Sequence, residues 1–425
     1  MHRLIFLNVS RGYRYISWIA VSVVLLLIAA NGVAYGLMKL YPGLMVPQNI
    51  RVTLDFFSRY ESSPLAAHRE EWFGVDENEW PVFVNEIRER IAKGGNEYDD
   101  FTGFKPVTSS GKYLNFLPEG YRSIGTDLQG PWPIDSRFYN VFLFGGSTAM
   151  GVGSDKATIA RFMQMEMNDH HLGGKREVRV YNFGRGSYFS TQEGILFEQL
   201  LRAGARPDVV LFLDGLNDFF FLDGKMSAHG VFAQALSESA KQSRQNIANV
   251  LEARPLWHKL YEFLSSVPLV NLAKRIGAKD SPNIFSQTQY RPEITDPVLL
   301  ENVIKRYRHN VAIIRAVANT YGIQAYFVIQ PVPGYRYDVA NHIALNPNLG
   351  LGGHERSGQG YPLLVKSLKE NPIPTKNLLW EADLLNDFKG AVFLDAVHYT
   401  KGFSKALAQS IVLKMRQDNM TATKP

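Results

Sequence analysis

The sequence of 425 residues contains no cysteine. Without cysteine the chain forms no disulfide and offers no thiolate to a metal ion. This composition permits an oxidising compartment but does not require one. A disulfide scaffold and a cysteine-ligated metal site are therefore both excluded.

Several signatures of ligand binding are absent as well. The formal net charge of +6 is modest for this length, and no cluster of Lys and Arg interleaved with aromatics stands out, so no nucleic-acid partner is predicted. The glycine-rich stretch 145–153 has neither the Gly-Lys-Ser/Thr ending of a P-loop nor the Gly-x-Gly-x-x-Gly of a dinucleotide fold. The ten histidines show no spacing with acidic residues that would predict a metal site. We therefore predict no metal and no cofactor.

One long apolar run lies near the N-terminus. Residues 16–38 carry no charge, and a helix of this length is enough to cross a bilayer. Three arginines precede the run and Lys39 follows it, a weak charge bias that favours a cytoplasmic N-terminus. The sequence thus predicts a cytoplasmic segment 1–15, a transmembrane anchor over 16–38 and a remainder outside the cytoplasm, periplasmic or extracellular. A cleaved signal peptide, with its site at 30–32, is the alternative.

The rest of the chain divides into two regions by composition. With 45% hydrophobic and 20% charged residues, the whole chain has a globular composition. Its length allows one large domain with additions, or two domains. Residues 39–137 are predicted as an N-terminal extension, with a helix at Trp80–Ala92 followed by short strands and turns. Residues 138–425 are predicted as the main domain. A helical insertion at about 219–296 interrupts it and either caps the site or only packs beside it.

Five apolar runs in the main domain predict buried strands, with helices between them. The predicted strands are Tyr139–Phe144, Val178–Phe183, Val209–Leu213, Ala325–Ile329 and Val392–Leu394, and the clearest helices are Gln192–Arg202 and Leu299–Tyr321. Strands that alternate with helices form parallel sheets with right-handed crossovers. The sequence therefore predicts an α/β fold.

Polar or glycine-rich groups follow each of the five runs. They are Gly145-Gly146-Ser147, the segment Asn-Phe-Gly-Arg-Gly-Ser-Tyr at 182–188, Asp-Gly-Leu-Asn-Asp at 214–218, Gln330-Pro331, and Asp-Ala-Val-His at 395–398. Because the carboxyl ends of parallel strands meet at one edge of a sheet, we expect all five groups to converge on one crevice. Chance would place one or two such groups, but five in order are hard to attribute to chance.

The chemistry of these groups fits acyl transfer. A serine hydroxyl becomes a nucleophile when a base takes its proton, and imidazole has a suitable pKa for that task. Ser147 is the candidate nucleophile, His398 the candidate base, and Asp395 the group that orients the imidazole ring. The Asn217 amide and the glycine-rich backbone at 184–187 are candidate donors to the oxyanion.

Each candidate also has an ordinary structural explanation. Ser147 could cap a helix, Asp395 could cap the helix that starts near Gly402, and the Asn-Asp pair at 217–218 could simply form a turn. Three further side chains beside strand ends could bind an anionic or sugar substrate or could only pack: Arg185, Arg336 and Tyr337.

The ordered motifs resemble those of a known family. Gly-Gly-Ser, Asn-x-Gly-x-Gly, Gly-x-Asn-Asp and Asp-x-x-His, in this order, resemble the SGNH (GDSL-like) hydrolases over about Tyr139 to Met415. The resemblance implies a flavodoxin-like three-layer fold with about five parallel strands, and an enzyme acting on ester bonds. Gly146 departs from the family, in which Asp often precedes the serine, although many relatives carry Gly-Gly-Ser-Thr.

The resemblance also implies residue roles at the matching positions. These are nucleophile and backbone oxyanion donor for Ser147, side-chain oxyanion donor for Asn217, and base and orienting acid for His398 and Asp395. The remaining oxyanion donor is Gly186 or Ser187, depending on how the second motif is counted.

Together, the motifs and the N-terminal run predict a membrane-anchored serine esterase that hydrolyses small-acyl esters. An acylated envelope glycan or a lipid is the candidate substrate, because the anchor would hold the site near such molecules. Two alternatives remain: an O-acyltransferase acting on an envelope glycan, and a catalytically retired, membrane-anchored binding or scaffold module. The sequence leaves any protein partner unidentified.

Overall fold

The chain forms two compact units, Met1–Thr53 with Ala240–Asn283 and Leu54–Ser239 with Ile284–Pro425. The structure, a computed structural model, describes residues 2–40, 56–61, 64–225, 267–268, 295–345, 350–374, 377–386 and 388–422. The main described element of the first unit is helix α1 (His2–Leu40). The helical insertion predicted at 219–296 lies mostly outside the described residues.

Helix α1 contains the uncharged run 16–38. Several of its apolar side chains are exposed, among them Trp18, Ile19 and Leu26. Among the residues that the structure describes, no helix has both the length and the apolar character that crossing a membrane requires. The membrane anchor and the location outside the cytoplasm stay predictions.

The second unit contains two sheets and a set of helices. The strands are β1 (Asn96–Asp99), β2 (Gly103–Pro106), β3 (Tyr139–Gly145), β4 (Val178–Asn182), β5 (Val209–Asp214), β6 (Gln324–Ile329) and β7 (Leu378–Trp380). The helices are α2 (Arg69–Phe73), α3 (Trp80–Ala92), α4 (Ser147–Met150), α5 (Ile159–Asp169), α6 (Ser190–Arg202), α7 (Leu216–Phe220), α8 (Pro297–Thr320), α9 (Glu355–Glu370) and α10 (Lys401–Ala422).

The larger sheet is parallel throughout, with the strand order β4-β3-β5-β6-β7. This is the order of flavodoxin-like folds, in which ligands bind beyond the carboxyl ends of the strands where the order reverses. Here the reversal lies at β3, which has β4 on one side and β5 on the other. The carboxyl ends of β3 and β5 are therefore the expected place for a site.

Four of the five predicted strands are confirmed to within one residue at each end, as β3, β4, β5 and β6. Their side chains alternate between two cores. Phe142, Phe144 and Phe212 pack with residues of α6 and α8, whereas Val141, Leu143 and Leu211 pack with residues of α5 and α10. Because both faces are covered, these strands appear in the sequence as nearly continuous apolar runs.

The prediction of a fifth strand at Val392–Leu394 is wrong. The fifth place in the sheet belongs to β7, which pairs with β6. Residues 392–400, called the histidine loop below, instead fold back on themselves. Phe393 forms an isolated bridge with Tyr399, and the Leu394 N–H donates to the carbonyl of His398 at 2.7 Å. An apolar run buried without a ladder partner has the same sequence pattern as a buried strand, which is why the prediction failed.

The extension is helical at first and then forms short strands. The helix predicted at Trp80–Ala92 is confirmed as α3, and the predicted short strands include the antiparallel pair β1–β2. Residues from Leu54 onward belong to the same compact unit as the large sheet, and the boundary predicted at residue 137 stays a prediction. Arg122 forms an isolated antiparallel bridge with Asn182, so the extension runs beside the edge strand β4.

Candidate active site

Ser147 lies where the sequence places it, immediately after a central strand. β3 ends at Gly145 and Ser147 is the first residue of α4. Residues 145–150, which carry the candidate nucleophile Ser147, are called the nucleophile turn below. The N-cap of α4 is Gly146, and no side chain caps this helix, so capping does not explain Ser147. The serine is partly exposed, whereas Thr148 beside it is buried.

Gly146 has no room for a side chain. A Cβ atom at this position would lie 2.3 Å from Asn217 Nδ2 and 3.0 Å from the carbonyl oxygen of Tyr188. A larger residue at this position would therefore have to displace the Asn217 side chain or the backbone at Tyr188. This crowding also shows that the Asn217 amide lies directly against the nucleophile turn.

Asn217 is a suitable donor for an oxyanion. It lies in α7, after β5, which pairs directly with β3. The residue is buried, and its Nδ2 donates to the carbonyl of Tyr188 at 2.7 Å. Since a side-chain amide carries two N–H groups, this bond uses one of them and fixes the direction of the other.

The loop after β4 is the second source of candidate donors. The Arg185 N–H donates to the carbonyl of Gly145 at 2.9 Å, which ties this loop to the end of β3. Ser187 has φ = 65°, in the left-handed region, and both Gly186 and Ser187 are partly exposed. The contacts do not choose between the N–H groups of Gly186 and Ser187, and that assignment stays a prediction.

His398 and Asp395 form a close pair. His398 Nδ1 lies 2.6 Å from Asp395 Oδ2. The other carboxylate oxygen accepts from the backbone N–H groups of Val397 at 2.9 Å and of His398 at 2.8 Å. Burial raises the pKa of Asp395, but the charge and hydrogen bond of His398 and these N–H groups outweigh it and lower that pKa to about 2. The carboxylate is therefore ionised at neutral pH.

Asp395 does not cap the helix that follows. α10 begins at Lys401, and the Phe403 N–H donates to Thr400 Oγ1 at 3.2 Å. The capping oxygen is thus a threonine hydroxyl, and the aspartate is left to hold the histidine ring and its loop.

His398 Nε2 is a buried nitrogen that has no hydrogen-bond partner among the described residues. The side chain is only 13% exposed. Because Nδ1 faces a carboxylate, we infer that Nδ1 carries the proton and that Nε2 presents its lone pair. Buried polar atoms are nearly always paired, so an unpaired imidazole nitrogen next to a fixed carboxylate is the arrangement that a general base requires.

The structure does not support a substrate role for Arg185. Its guanidinium is buried and donates to the carbonyl of Phe104 at 3.3 Å and to the hydroxyl of Tyr188 at 2.9 Å. The residue therefore packs the β1–β2 pair against the loop after β4. Arg336 is exposed and pairs with Asp383 at 3.1 Å.

Arg122 is a supporting residue that sequence reasoning missed. Its guanidinium is fully buried and donates to the carbonyls of Met150 at 3.0 Å, Gly151 at 2.5 Å and Gly153 at 2.5 Å. It also pairs with buried Asp155 at 3.1 Å. The extension thus supplies a cation that holds the chain leaving the nucleophile turn. Nothing in the spacing of the motifs points to this arginine.

Three acidic side chains are buried behind Asn217: Glu193 in α6, Asp214 at the end of β5 and Asp218 in α7. Asp218 accepts from the Ser190 hydroxyl at 2.6 Å. Among the described residues, no backbone N–H and no hydroxyl group donates to the carboxyl of Glu193 or of Asp214, and the two carboxyls interact with each other. Burial and the neighbouring acids raise the pKa of both well above the ordinary range. We infer that a proton held by one carboxyl is donated to the other.

Within the part of the chain that the structure describes, no group of three or more His, Asp or Glu side chains is arranged to hold a metal ion. Glu193, Asp214 and Asp218 are therefore not arranged as a metal site.

No protein-family model and no curated protein match this sequence. Solved structures do. A carbohydrate acetylesterase family member from Sinorhizobium meliloti matches at 11% identity and a TM-score of 0.34, covering 66% of this chain and 98% of that one. The esterase EstA from Pseudoalteromonas matches at 10% identity and a TM-score of 0.30, covering 66% and 99%.

A variant of an acetyl-xylooligosaccharide esterase from Geobacillus matches at 12% identity and a TM-score of 0.33, covering 68% of this chain and 95% of that one. Because all these TM-scores lie below 0.5, the function of this chain has to be inferred from its own contacts.

Proposed function

We propose that this chain is a serine esterase of the SGNH type. The Ser147 hydroxyl gives its proton to His398 Nε2 as its oxygen attacks the carbonyl carbon of an ester. Asp395 keeps the ring oriented and stabilises the imidazolium. The tetrahedral oxyanion is held by the Ser147 N–H, the Asn217 amide and the N–H of Gly186 or Ser187.

The second half of the reaction uses the same groups. The imidazolium protonates the leaving alcohol, and the carbon–oxygen bond breaks to leave an acyl-enzyme on Ser147. His398 then takes a proton from water as the water oxygen attacks the acyl carbon. The bond between that carbon and Ser147 Oγ breaks to release the acid, and the imidazolium returns its proton to Oγ. No metal or cofactor enters these steps.

One observation carries the proposal more than any other. His398 is bonded to an ionised carboxylate through Nδ1, while its buried Nε2 has no partner among the described residues. Both ring nitrogens of buried His342 likewise lack a hydrogen-bond partner in that part of the chain, and what distinguishes His398 is the carboxylate held against its Nδ1. In the chain, His398 comes after Ser147 and Asn217, which follow the paired strands β3 and β5.

Labelling with a fluorophosphonate probe tests the proposal directly, because the probe reacts with activated serines. We expect label on the wild-type protein and none on Ser147→Ala or His398→Ala. Ser154→Ala is the matched control: it removes a buried serine hydroxyl, which donates to the carbonyl of Gly74 at 3.0 Å and has no role in the proposed reaction, and it should be labelled. All variants are checked for folding by thermal unfolding.

Two outcomes would contradict the proposal. Label that persists on Ser147→Ala would place the nucleophile elsewhere. A folded wild-type protein that takes no label would favour the binding or scaffold module that the sequence leaves as an alternative.

The substrate proposed is a small-acyl ester, with an acetylated envelope glycan as its natural form. The support is the predicted anchor, which would hold the site near such polymers. Hydrolysis rates on p-nitrophenyl esters from acetyl to octanoyl measure the acyl preference. Product analysis with an added acetylated oligosaccharide separates release of acetate from transfer to a sugar hydroxyl, which would identify an O-acyltransferase.

A membrane location is part of the same proposal. Its support is the uncharged run 16–38 with arginines before it and Lys39 after it. Carbonate extraction of the full chain should leave it with the membrane. The double variant Leu26→Arg with Leu27→Arg should release it, and release of the unmodified chain would contradict the proposal.

A further inference from the structure

The residues that follow the two reacting side chains meet at one buried glutamine. Thr148, next to Ser147, donates its hydroxyl to Gln330 Oε1 at 2.7 Å. Tyr399, next to His398, places its hydroxyl 3.2 Å from the same oxygen and donates to the carbonyl of Pro331 at 2.5 Å. The three side chains are buried.

Gln330 is itself fixed to the sheet. It follows β6 directly, and its N–H donates to the carbonyl of Asp214 at 3.0 Å. Its carbonyl accepts from the Tyr361 hydroxyl at 2.8 Å. With the main chain held on both sides, the side-chain oxygen has a defined position relative to the strand ends.

The histidine loop needs such a fixed point because it lies outside the sheet. Its own bridge, Phe393 with Tyr399, gives it an internal shape but does not connect it to β3. Proton transfer requires the serine oxygen and the imidazole nitrogen to be held to about half an ångström. Thr148 belongs to the nucleophile turn and Tyr399 to the histidine loop, and both contact the side chain of Gln330. This one side chain therefore connects the two segments.

We propose that Gln330 is a positioning residue that sets the distance between Ser147 Oγ and His398 Nε2. It acts through Thr148 and Tyr399 and does not contact the substrate. This inference rests on the proposed function, since it assigns a role within that site. Burial raises the pKa of Tyr399 well above its ordinary range, so the hydroxyl keeps its single proton, which is shared between the carbonyl of Pro331 and Gln330 Oε1.

The first test compares two replacements of the glutamine. Gln330→Met keeps the length and removes the oxygen, whereas Gln330→Glu keeps an acceptor oxygen in the same place. We expect Gln330→Met to lower kcat for p-nitrophenyl acetate by about 10- to 100-fold with KM unchanged, the size of effect that a misplacement of about 1 Å produces. Gln330→Glu should recover most of the loss.

The second test uses the nucleophile side of the connection. Thr148→Val removes the hydroxyl and keeps the shape, and Thr148→Ser restores the hydroxyl. Thr148→Val should lower kcat in the wild-type background and have no further effect in Gln330→Met, because the bond is already lost. A residue that only stabilised the fold would give additive losses.

The third test has a matched control on the histidine side. Tyr399→Phe removes a buried hydroxyl that donates to a proline carbonyl. Tyr181→Phe does the same at Pro131, where the bond is 2.8 Å long and the site is not involved. We expect only Tyr399→Phe to lower kcat and the rate of fluorophosphonate labelling.

Failure of this inference and failure of the proposed function give different results. If the wild type is labelled but Gln330→Met and Thr148→Val react at the wild-type rate, the positioning role is wrong and the esterase assignment stands. If the wild type neither labels nor hydrolyses any ester, both are wrong. Equal losses in Tyr399→Phe and Tyr181→Phe would also overturn the inference.

Discussion

The nucleophile turn and the histidine loop hold their reacting groups in different ways. The nucleophile turn continues a central strand into α4, and β4 and β5 pair with that strand on both sides. The histidine loop has no place in the sheet. Its shape depends on one isolated bridge and a few hydrogen bonds, among them the two backbone bonds to Asp395, the bond from the Tyr60 hydroxyl to the carbonyl of Leu394, and the contacts of Tyr399.

This difference predicts where substitutions act. Backbone ladders survive the loss of a side chain, so the position of Ser147 should be robust to most single changes. Side-chain bonds do not survive it, so the position of His398 should depend on individual residues. Substitutions of residues that hold the histidine loop should lower activity more than stability. Substitutions of residues that brace the chain leaving the nucleophile turn should lower stability more than activity.

Asp395→Asn should have the largest effect, on activity. The amide oxygen can still accept from the backbone N–H groups of Val397 and His398, so the loop keeps its shape. The ring loses its ionised partner and the correct tautomer, for which we expect a fall in kcat of about 10⁴-fold, as in other triads. Ester hydrolysis across a pH series measures this, and a loss below tenfold would contradict the role of the aspartate.

Arg122→Met should have the next largest effect, on stability. It leaves Asp155 buried without its cation, and three carbonyls lose their donor, which should cost about 3–5 kcal/mol of unfolding free energy. The control is Arg137→Met, because Arg137 pairs with Asp135 at the surface, where water and salt screen the pair and its contribution to stability is small. Urea denaturation gives both values, and equal losses would contradict the bracing role.

Asn217→Ala should lower kcat by about 10²–10³-fold, because one oxyanion donor contributes about 3 kcal/mol to the transition state. Asn140 is the matched control. It is buried at the opposite end of β3, where its amide donates to the carbonyl of Phe138 at 3.1 Å. Asn140→Ala should lower the melting temperature and leave kcat unchanged, and a similar loss of kcat in both variants would remove Asn217 from the oxyanion hole.

The buried acids should give an effect spread over several pH units and small over any one of them, a pH dependence of stability. Their pKa values are raised in the folded protein, so the native state holds protons that the unfolded chain has released above about pH 4–5. Stability is therefore full below that range and falls as pH rises through the folded pKa values. Each retained proton gives a slope of up to about −1.4 kcal/mol per pH unit.

Glu193→Gln should make this slope shallower, whereas Glu198→Gln, at the partly exposed ion pair of Glu198 with Arg202 on the same helix, should not. Urea denaturation from pH 5 to pH 9 measures the slope. An unchanged slope in Glu193→Gln would mean that this carboxyl holds no proton.

The sequence predicts elements with strong local signals and misses those without them. β3 to β6 are found because long apolar runs end at glycines or polar residues. β7 is missed because Leu378–Trp380 is three residues long and only its middle residue is buried, which gives no period to recognise. The run at 392–394 has the signal of a strand but no partner strand.

The candidate site divides in the same way. Ser147, Asn217, Asp395 and His398 stand out because motifs follow strand ends, and their catalytic roles remain predictions. The supporting contacts have no such signal. Thr148 and Gln330 are 182 positions apart, and Arg122 and Asp155 are 33 apart. Neither residue of such a pair suggests its partner, because tertiary packing alone brings them together.

The extension beside β4 has a consequence for the behaviour of the protein in concentrated solution. An edge strand with free N–H and carbonyl groups is a template on which a second chain can add a strand and start an aggregate. At β4 the extension covers this edge, with the bridge of Arg122 to Asn182 and the bond from the Tyr181 hydroxyl to Pro131. The opposite edge is β7, which is too short to be a good template. A segment that contributes no reacting group therefore protects the sheet against self-association.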